Sequence, residues 1–262
     1  MNIPTHANIP DPLNTRKRIV WICCLLSVVA GCVAGIPSVP DSPDEILKRA
    51  DAYFQEKKYF QSQELYKAFL ARHPGHDRSD YAQFMLGESI YADEDYALAS
   101  VEYRILVTNY GYSEYVDEGY LKEALCLHKQ APKSELDQSN NRDALSKLER
   151  FVQIFPQSPL MPDALRYIEA IKTVLARKEL ATALFYISRK RFDSALIYLD
   201  KVIKDYPNNA FWVEALYHKA RIYADRERAD EAIQLLSQAL EYPDDVEIKT
   251  DASVLLKQLR GN

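Results

Sequence analysis

A chain of 262 residues with 33 Lys and Arg against 38 Asp and Glu carries a formal charge of −5. That balance lacks the basic footprint that binding phosphates requires, which excludes nucleic acid as the main partner. Only seven glycines occur, while Ala, Leu, Tyr, Glu and Lys are abundant. This profile favours helices over sheet, and no long stretch alternates apolar and polar residues as a half-buried strand would.

The first element is a targeting segment. Arg16-Lys17-Arg18 precedes an apolar run of 12 residues, Ile19 to Ala30, well short of the roughly 20 that cross a bilayer. A basic cluster, a short apolar run and small residues make a secretory signal. The run ends in Val29-Ala30-Gly31-Cys32, which resembles the bacterial lipobox. The plain alternative is an ordinary signal cut near Ala34. The lipobox resemblance implies removal of 1–31 and a covalent N-acyl and S-diacylglycerol lipid on Cys32, with no other cofactor. Val33 follows Cys32, where an Asp would resemble an inner-membrane retention signal, so the resemblance points to the periplasmic face of the outer membrane. Each buried CH2 of such a lipid is worth about 0.8 kcal/mol, and two or more chains anchor stably. Loss of 1–31 takes the charge to −7 and leaves Cys32 and Cys126. With Cys32 acylated, no disulfide forms within the chain. Cys126, among Ala124, Leu125 and Leu127, reads as a small core residue.

Residues 32–42, with Pro37 and Pro40, are expected to be a flexible lipidated tether. Ser42-Pro43-Asp44-Glu45 then opens a helix, with a capping residue, a proline at the first position and two acids at the positive helix end. From here the chain repeats. Ala50, Tyr53, Ser62, Tyr66, Phe69 and Pro74 fall at spacings that resemble the tetratricopeptide repeat, a helix-turn-helix of about 34 residues. Gly87, Ile90, Ala99, Tyr103 and Leu106 form a second copy. Ala124 and Leu127 with Ala144, Leu148, Phe151 and Pro156 form a third, Ala183, Tyr186, Ala195, Leu199, Val202 and Pro207 a fourth, and Ala220, Tyr223, Ala232, Leu236 and Ala239 a fifth. In the third copy the two small positions are 20 residues apart rather than 12, and 130–141 is the polar insertion responsible. Pro162 starts a long helical run to about Lys190 that extends the first helix of copy four. Residues 246–262 carry a terminal helix that covers the last repeat. The fold class is therefore all-α: five tetratricopeptide-like hairpins in a right-handed superhelix with a C-terminal capping helix. Its parts are two repeats and the first helix of a third over 43–129, the insertion at 130–141, and the remaining repeats over 142–245.

The chain carries no Gly-rich phosphate loop, no Gly-x-Ser-x-Gly elbow and no His-Glu-x-x-His. His73 and His76 flank Pro74-Gly75, a poor frame for a metal. The expectation is a protein that is not an enzyme, with neither catalytic nor metal-binding residues. The inward-facing positions of the first helix in each repeat are more informative. They are Leu47, Asp51, Phe54 and Gln55 in copy one, and Tyr81, Phe84, Glu88 and Tyr91 in copy two. Phe54, Tyr81, Phe84 and Tyr91 form an aromatic strip beside Asp51 and Glu88, suited to holding an extended peptide. The alternative is that Phe54 and Phe84 pack between repeats. Arg189-Lys190-Arg191 in copy four is either a solvated turn or a basic contact for an acidic partner.

The lipobox, five repeats and the insertion in copy three together resemble the BamD family, lipoproteins of the β-barrel assembly machinery. The resemblance is carried most specifically by Arg142-Asp143-Ala144-Leu145, Phe155-Pro156-Gln157-Ser158-Pro159, Leu175-Ala176-Arg177-Lys178-Glu179 and Asp205-Tyr206-Pro207-Asn208, and spans about 43–242. Gly111 departs from it, standing where a closing proline is usual. The resemblance implies assembly of β-barrel proteins into the outer membrane. The first repeats would receive unfolded barrel clients. The last, through Arg189, would dock on an Omp85-type barrel protein beside other machinery subunits. A scaffold for cell division or peptidoglycan synthesis, and a pilotin-type lipoprotein for secretin assembly, are the other classes. The small positions 62, 99, 144, 195 and 232 are spaced more irregularly than a pilotin's regular period.

Overall fold

A computed structural model describes residues 35, 37–133, 136–244 and 247–261. The signal at 1–31 and Cys32 lie outside the described residues. The helices run α1 Pro43–Gln55, α2 Tyr59–Arg72, α3 Ser79–Ala92, α4 Tyr96–Asn109, α5 Val116–Gln130, α6 Ser139–Ile154, α7 Met161–Ser188, α8 Phe192–Asp205, α9 Ala210–Ala224, α10 Ala229–Leu240 and α11 Ile248–Arg260. No strand occurs among the described residues. Every helix packs on its neighbours in the chain, and α9 also packs on α7 and α11. Five antiparallel hairpins thus stack in chain order and α11 closes the stack, as a solenoid built from nearest-neighbour contacts does.

The small residues explain why the hairpins close. Ala50, Ala124, Ala183 and Ala220 in the first helices, and Ser62, Ala99, Ala144, Ala195 and Ala232 in the second, have no exposed surface. At these positions two backbones approach closely: the Ser62 hydroxyl donates to the Ala50 carbonyl at 3.0 Å. Gly87 holds the equivalent place in α3, where a Cβ would stand 2.8 Å from the Tyr103 ring. Large apolar side chains fill the space beside each crossing. Leu65, Tyr66 and Phe69 belong to the first core cluster with Tyr103 and Leu106, and Cys126 is buried against the same cluster. Leu148, Phe151, Ile171 and Leu175 belong to the second, which runs from Leu121 to Ile222.

The turns within hairpins share one design. Lys57, Glu94, Lys190 and Glu227 have φ of 58°, 65°, 55° and 62°. In each, the amide after the left-handed residue bonds back five residues, as from Lys58 to the Tyr53 carbonyl and from Asp95 to the Ile90 carbonyl. This is the Schellman closure, normally built on glycine. Left-handed backbone costs a side-chain-bearing residue roughly 1–2 kcal/mol, so four such turns are sustained by the packing on either side. The turns between hairpins share another design. An aromatic ring caps α2, α4, α6 and α8 with nearly constant geometry, from His73 (φ −132°, ψ 54°) and Tyr110 (−123°, 47°) to Phe155 (−119°, 56°) and Tyr206 (−132°, 57°). The Gly111 turn follows the same path as the Pro74 and Pro156 turns, each closed by the amide three residues after the cap, while the Pro207 turn departs at Asn208, φ 64°.

Two boundaries differ from the sequence reading, that of the insertion and that of the tether, while the long run lies where it was expected. The insertion is a clamped segment: buried Gln138 donates toward the carbonyls of Pro132, Lys133 and Leu136 and accepts from Asn141 at 2.6 Å. Because that clamp orders the chain early, α6 starts at Ser139. The long run is one helix of 28 residues, roughly 42 Å; it packs on α6 as well as α8 and so spans two hairpins. The expected tether is also partly fixed. Val39 packs against the first core cluster, and Arg72 Nη1 donates to the Pro40 carbonyl at 3.2 Å. Ser42 stands at the N-cap of α1, but its side chain makes no capping bond.

Candidate peptide groove and partner surface

Asp51 and Glu88 occupy equivalent places in α1 and α3 and do the same work. Asp51 accepts from the Tyr66 hydroxyl at 2.5 Å and from the Tyr81 hydroxyl at 2.8 Å. Glu88 accepts from the Tyr103 hydroxyl at 2.5 Å and pairs with Lys122 at 2.8 Å. Each carboxylate thus takes one donor from its own hairpin and one from the next. Bonds to an ionised acceptor are stronger than neutral ones, so these acids staple successive repeats together. Burial first, then the bond to Asp51, pushes the Tyr81 phenol up to about 12. Burial pushes Tyr91 up to about 12 as well, so both rings remain neutral donors at physiological pH.

The aromatic strip divides under the same packing. Phe84 is only 7% exposed and stacks on Tyr115 with ring centres 4.9 Å apart. It belongs to the seam between hairpins two and three and presents no open face, which corrects its expected place on the strip. Leu47 is likewise fully buried. Phe54, Tyr81 and Tyr91 stay partly exposed and Gln55 is exposed. Phe54 tilts on Tyr59, and Lys122 lies over the Tyr91 ring at 4.9 Å. What remains open is a shallower strip of three partly exposed rings, with Asp51, Glu88, Lys122 and the half-buried Glu118 beside it. Burial holds the Glu118 carboxyl above the usual range. Lys122 and Glu118 come from the next repeat's helix, and the sequence shows them only as ordinary helix-surface charges.

Arg189 caps α7 and its guanidinium lies 4.5 Å from the Phe185 ring centre. Phe185 is 50% exposed, and Lys190 and Arg191 beside it are exposed too. The turn is therefore a basic patch on an apolar footing, a pairing the bare charge run did not reveal. Burial pushes the Cys126 thiol up to about 12, consistent with an inert core residue. His73 and His76 pack edge to edge near Phe69. Among the described residues, no group of His, Cys, Asp or Glu stands together so as to hold a metal. No helix of the described residues is long and apolar enough to cross a membrane.

A stack of helical hairpins crossing at small residues defines the tetratricopeptide class of solenoid. Within that class, the chain belongs to the YfiO family of outer membrane lipoproteins, which matches residues 36–235. It is 24% identical over 223 residues to the outer membrane protein assembly factor BamD of Haemophilus influenzae, covering 79% of this chain and 84% of that one. It is 24% identical over 221 residues to the protein of the same name from Rickettsia prowazekii, covering 82% and 88%. Among solved structures, a TPR repeats protein from Bacteroides fragilis is 13% identical with a TM-score of 0.48, covering 85% of this chain and 99% of that one.

Proposed function

We propose that the protein is a lipid-anchored assembly factor of the outer membrane, acting on its periplasmic face to help β-barrel proteins insert. The observation that carries this reading is the family match over 36–235, together with relatives named as outer membrane protein assembly factors across most of their length. Cys32 would carry the acyl chains. The strip of Phe54, Tyr81 and Tyr91, with the spare lone pairs of Asp51 and Glu88, would hold an extended segment of an unfolded client. Arg189, backed by Phe185, would meet an Omp85-type barrel protein, with other machinery subunits around it. Nothing in this work requires bond chemistry: the protein positions a client and lends contact energy.

The test is recovery of the protein from solubilised outer membrane, followed by mass spectrometry. An Omp85-type barrel is expected to co-purify, and Cys32→Ser should release the protein from the membrane. Recovery of a secretin or a peptidoglycan synthase in its place would overturn the reading. For the groove, Phe54→Ala with Tyr91→Ala is expected to weaken binding of an aromatic-ended barrel peptide about tenfold, since exposed ring contacts are worth about 0.5–1.5 kcal/mol each. Unchanged affinity would remove the groove from the reading. Phe84→Ala is a poor probe, because it opens the seam between hairpins.

A further inference from the structure

The two edges of the solenoid differ at their tips. Helices alternate in direction, so the start of α1 and the turns after α2, α4 and α6 share one edge, while the turns within hairpins share the other. The within-hairpin edge is ionic and exposed: Glu56-Lys57-Lys58, Asp93-Glu94-Asp95 and Arg189-Lys190-Arg191. On the opposite edge only the outermost pairs are uncharged, Pro74-Gly75, Gly111-Tyr112 and Pro156-Gln157, while Asp77, Arg78 and Glu114 stand further along the same turns and Asp44 and Glu45 open α1. Tyr112 is 107% exposed, so no other side chain covers it. Beside it, Tyr112, Ile154 and Phe155, with Glu114 and Asp117, line a cleft of about 560 Å³ between neighbouring turns, and Ile154 is 45% exposed. A ring with an apolar body and a polar tip suits a membrane–water boundary. A row of ions does not, because stripping their water is costly.

The chain enters the solenoid at this same edge. Val39 is seated on the first core cluster, and Arg72, the last residue of α2, holds the Pro40 carbonyl. From Cys32 to Val39 there are seven residue steps, at most about 25 Å even when fully extended. The turn after α2 and the turn after α4 adjoin, lining one cleft of about 270 Å³ from His76 to Tyr112. An acylated Cys32 would therefore leave this edge little room to stand away from the bilayer.

We propose that the edge formed by the between-hairpin turns rests on the phospholipid surface, with Tyr112 seated among the headgroups and the charged edge turned to the periplasm. This rests on acylation of Cys32 as read above. The test uses the full acylated protein in vesicles of phosphatidylethanolamine and phosphatidylglycerol containing a lipid brominated near its headgroup. Tyr112→Trp places a reporter on the edge without disturbing any packing. Ala97→Trp, at the far end of α4, places one roughly 20 Å away along the helix axis, and the parent chain supplies the background of Trp212. The indole at position 112 is expected to lose at least about half its emission and shift to the blue, as an interfacial ring does, while that at 97 stays unquenched. Protein that sediments with the vesicles but shows no quenching at 112, or equal quenching at both positions, overturns the proposal and leaves the anchor standing. In that case the exposed ring belongs to a protein contact. Protein that does not sediment removes the anchor and this proposal with it.

Discussion

Gly87 and Tyr103 occupy one shared space, and that space decides what position 87 tolerates. Alanine would ordinarily gain about 1 kcal/mol over glycine inside a helix. Here its Cβ would meet the Tyr103 ring at 2.8 Å, and the ring cannot yield, being fully buried with its hydroxyl held by Glu88. Overpacking costs about 1–3 kcal/mol, so Gly87→Ala is expected to destabilise by up to about 2 kcal/mol net, read from urea unfolding. A more stable variant would show that the crossing is looser than described. His218 sets a pH dependence. Burial, then the charge of Arg221, lowers its pKa to about 4. Below pH 6.5 the unfolded chain takes a proton there that the folded chain refuses until about 4. Stability from this residue is thus complete above 6.5 and lost as pH falls toward 4. The loss is on the order of 3 kcal/mol before solvent screening reduces it. His218→Gln should remove that part of the acid limb; parallel pH curves for parent and variant would refute it.

At the scale of elements, one turn geometry is written in several sequences. His73, Tyr110, Phe155 and Tyr206 cap their helices almost identically, and the next residue is proline in three cases and Gly111 in the fourth. The turn is further set by a polar side chain three residues after the cap. His76 Nδ1, Ser113 Oγ and Ser158 Oγ accept from the amides of Arg78, Tyr115 and Leu160. Ser113 and Ser158 also donate to Asp80 and Asp117 of the preceding hairpin, both at 2.6 Å. Gly111 does not use a positive φ. Gly111→Pro is therefore expected to stabilise by about 0.5–1 kcal/mol through the unfolded chain, measured as a higher thermal midpoint. A lower midpoint would mean that the shared cap geometry does not extend to residue 111.

Over the whole molecule, stability passes along the stack rather than through a single centre. The terminal cluster joins Tyr217, Ala220, Ala232 and Leu236 to Ala252 and Leu256 of α11. A chain ending at Glu241 loses that cover. Amide hydrogen exchange should then quicken in α9 and α10 while α1 to α4 keep their protection, as nearest-neighbour coupling requires. Uniform loss would point to one cooperative core. The same linear build separates the open strip of the first hairpins from the Arg189 patch of the fourth, a separation that the proposed function draws on.

Local periodicity is what the sequence by itself determined. Small residues 12 apart demanded helix pairs whose backbones touch; Ala50 and Ser62 do touch, and Ala183 and Ala195 are wholly buried in one cluster. The pairs' number, order and closing helix followed from the same spacing. Which side chains remain free was decided only by tertiary structure, because that depends on the neighbouring hairpin, tens of residues away. Phe84 was lost to Tyr115, Asp51 was claimed by Tyr81, and Val39 was drawn out of the tether onto the first core. Tyr112 was left uncovered for the converse reason: no side chain of a neighbouring hairpin covers it.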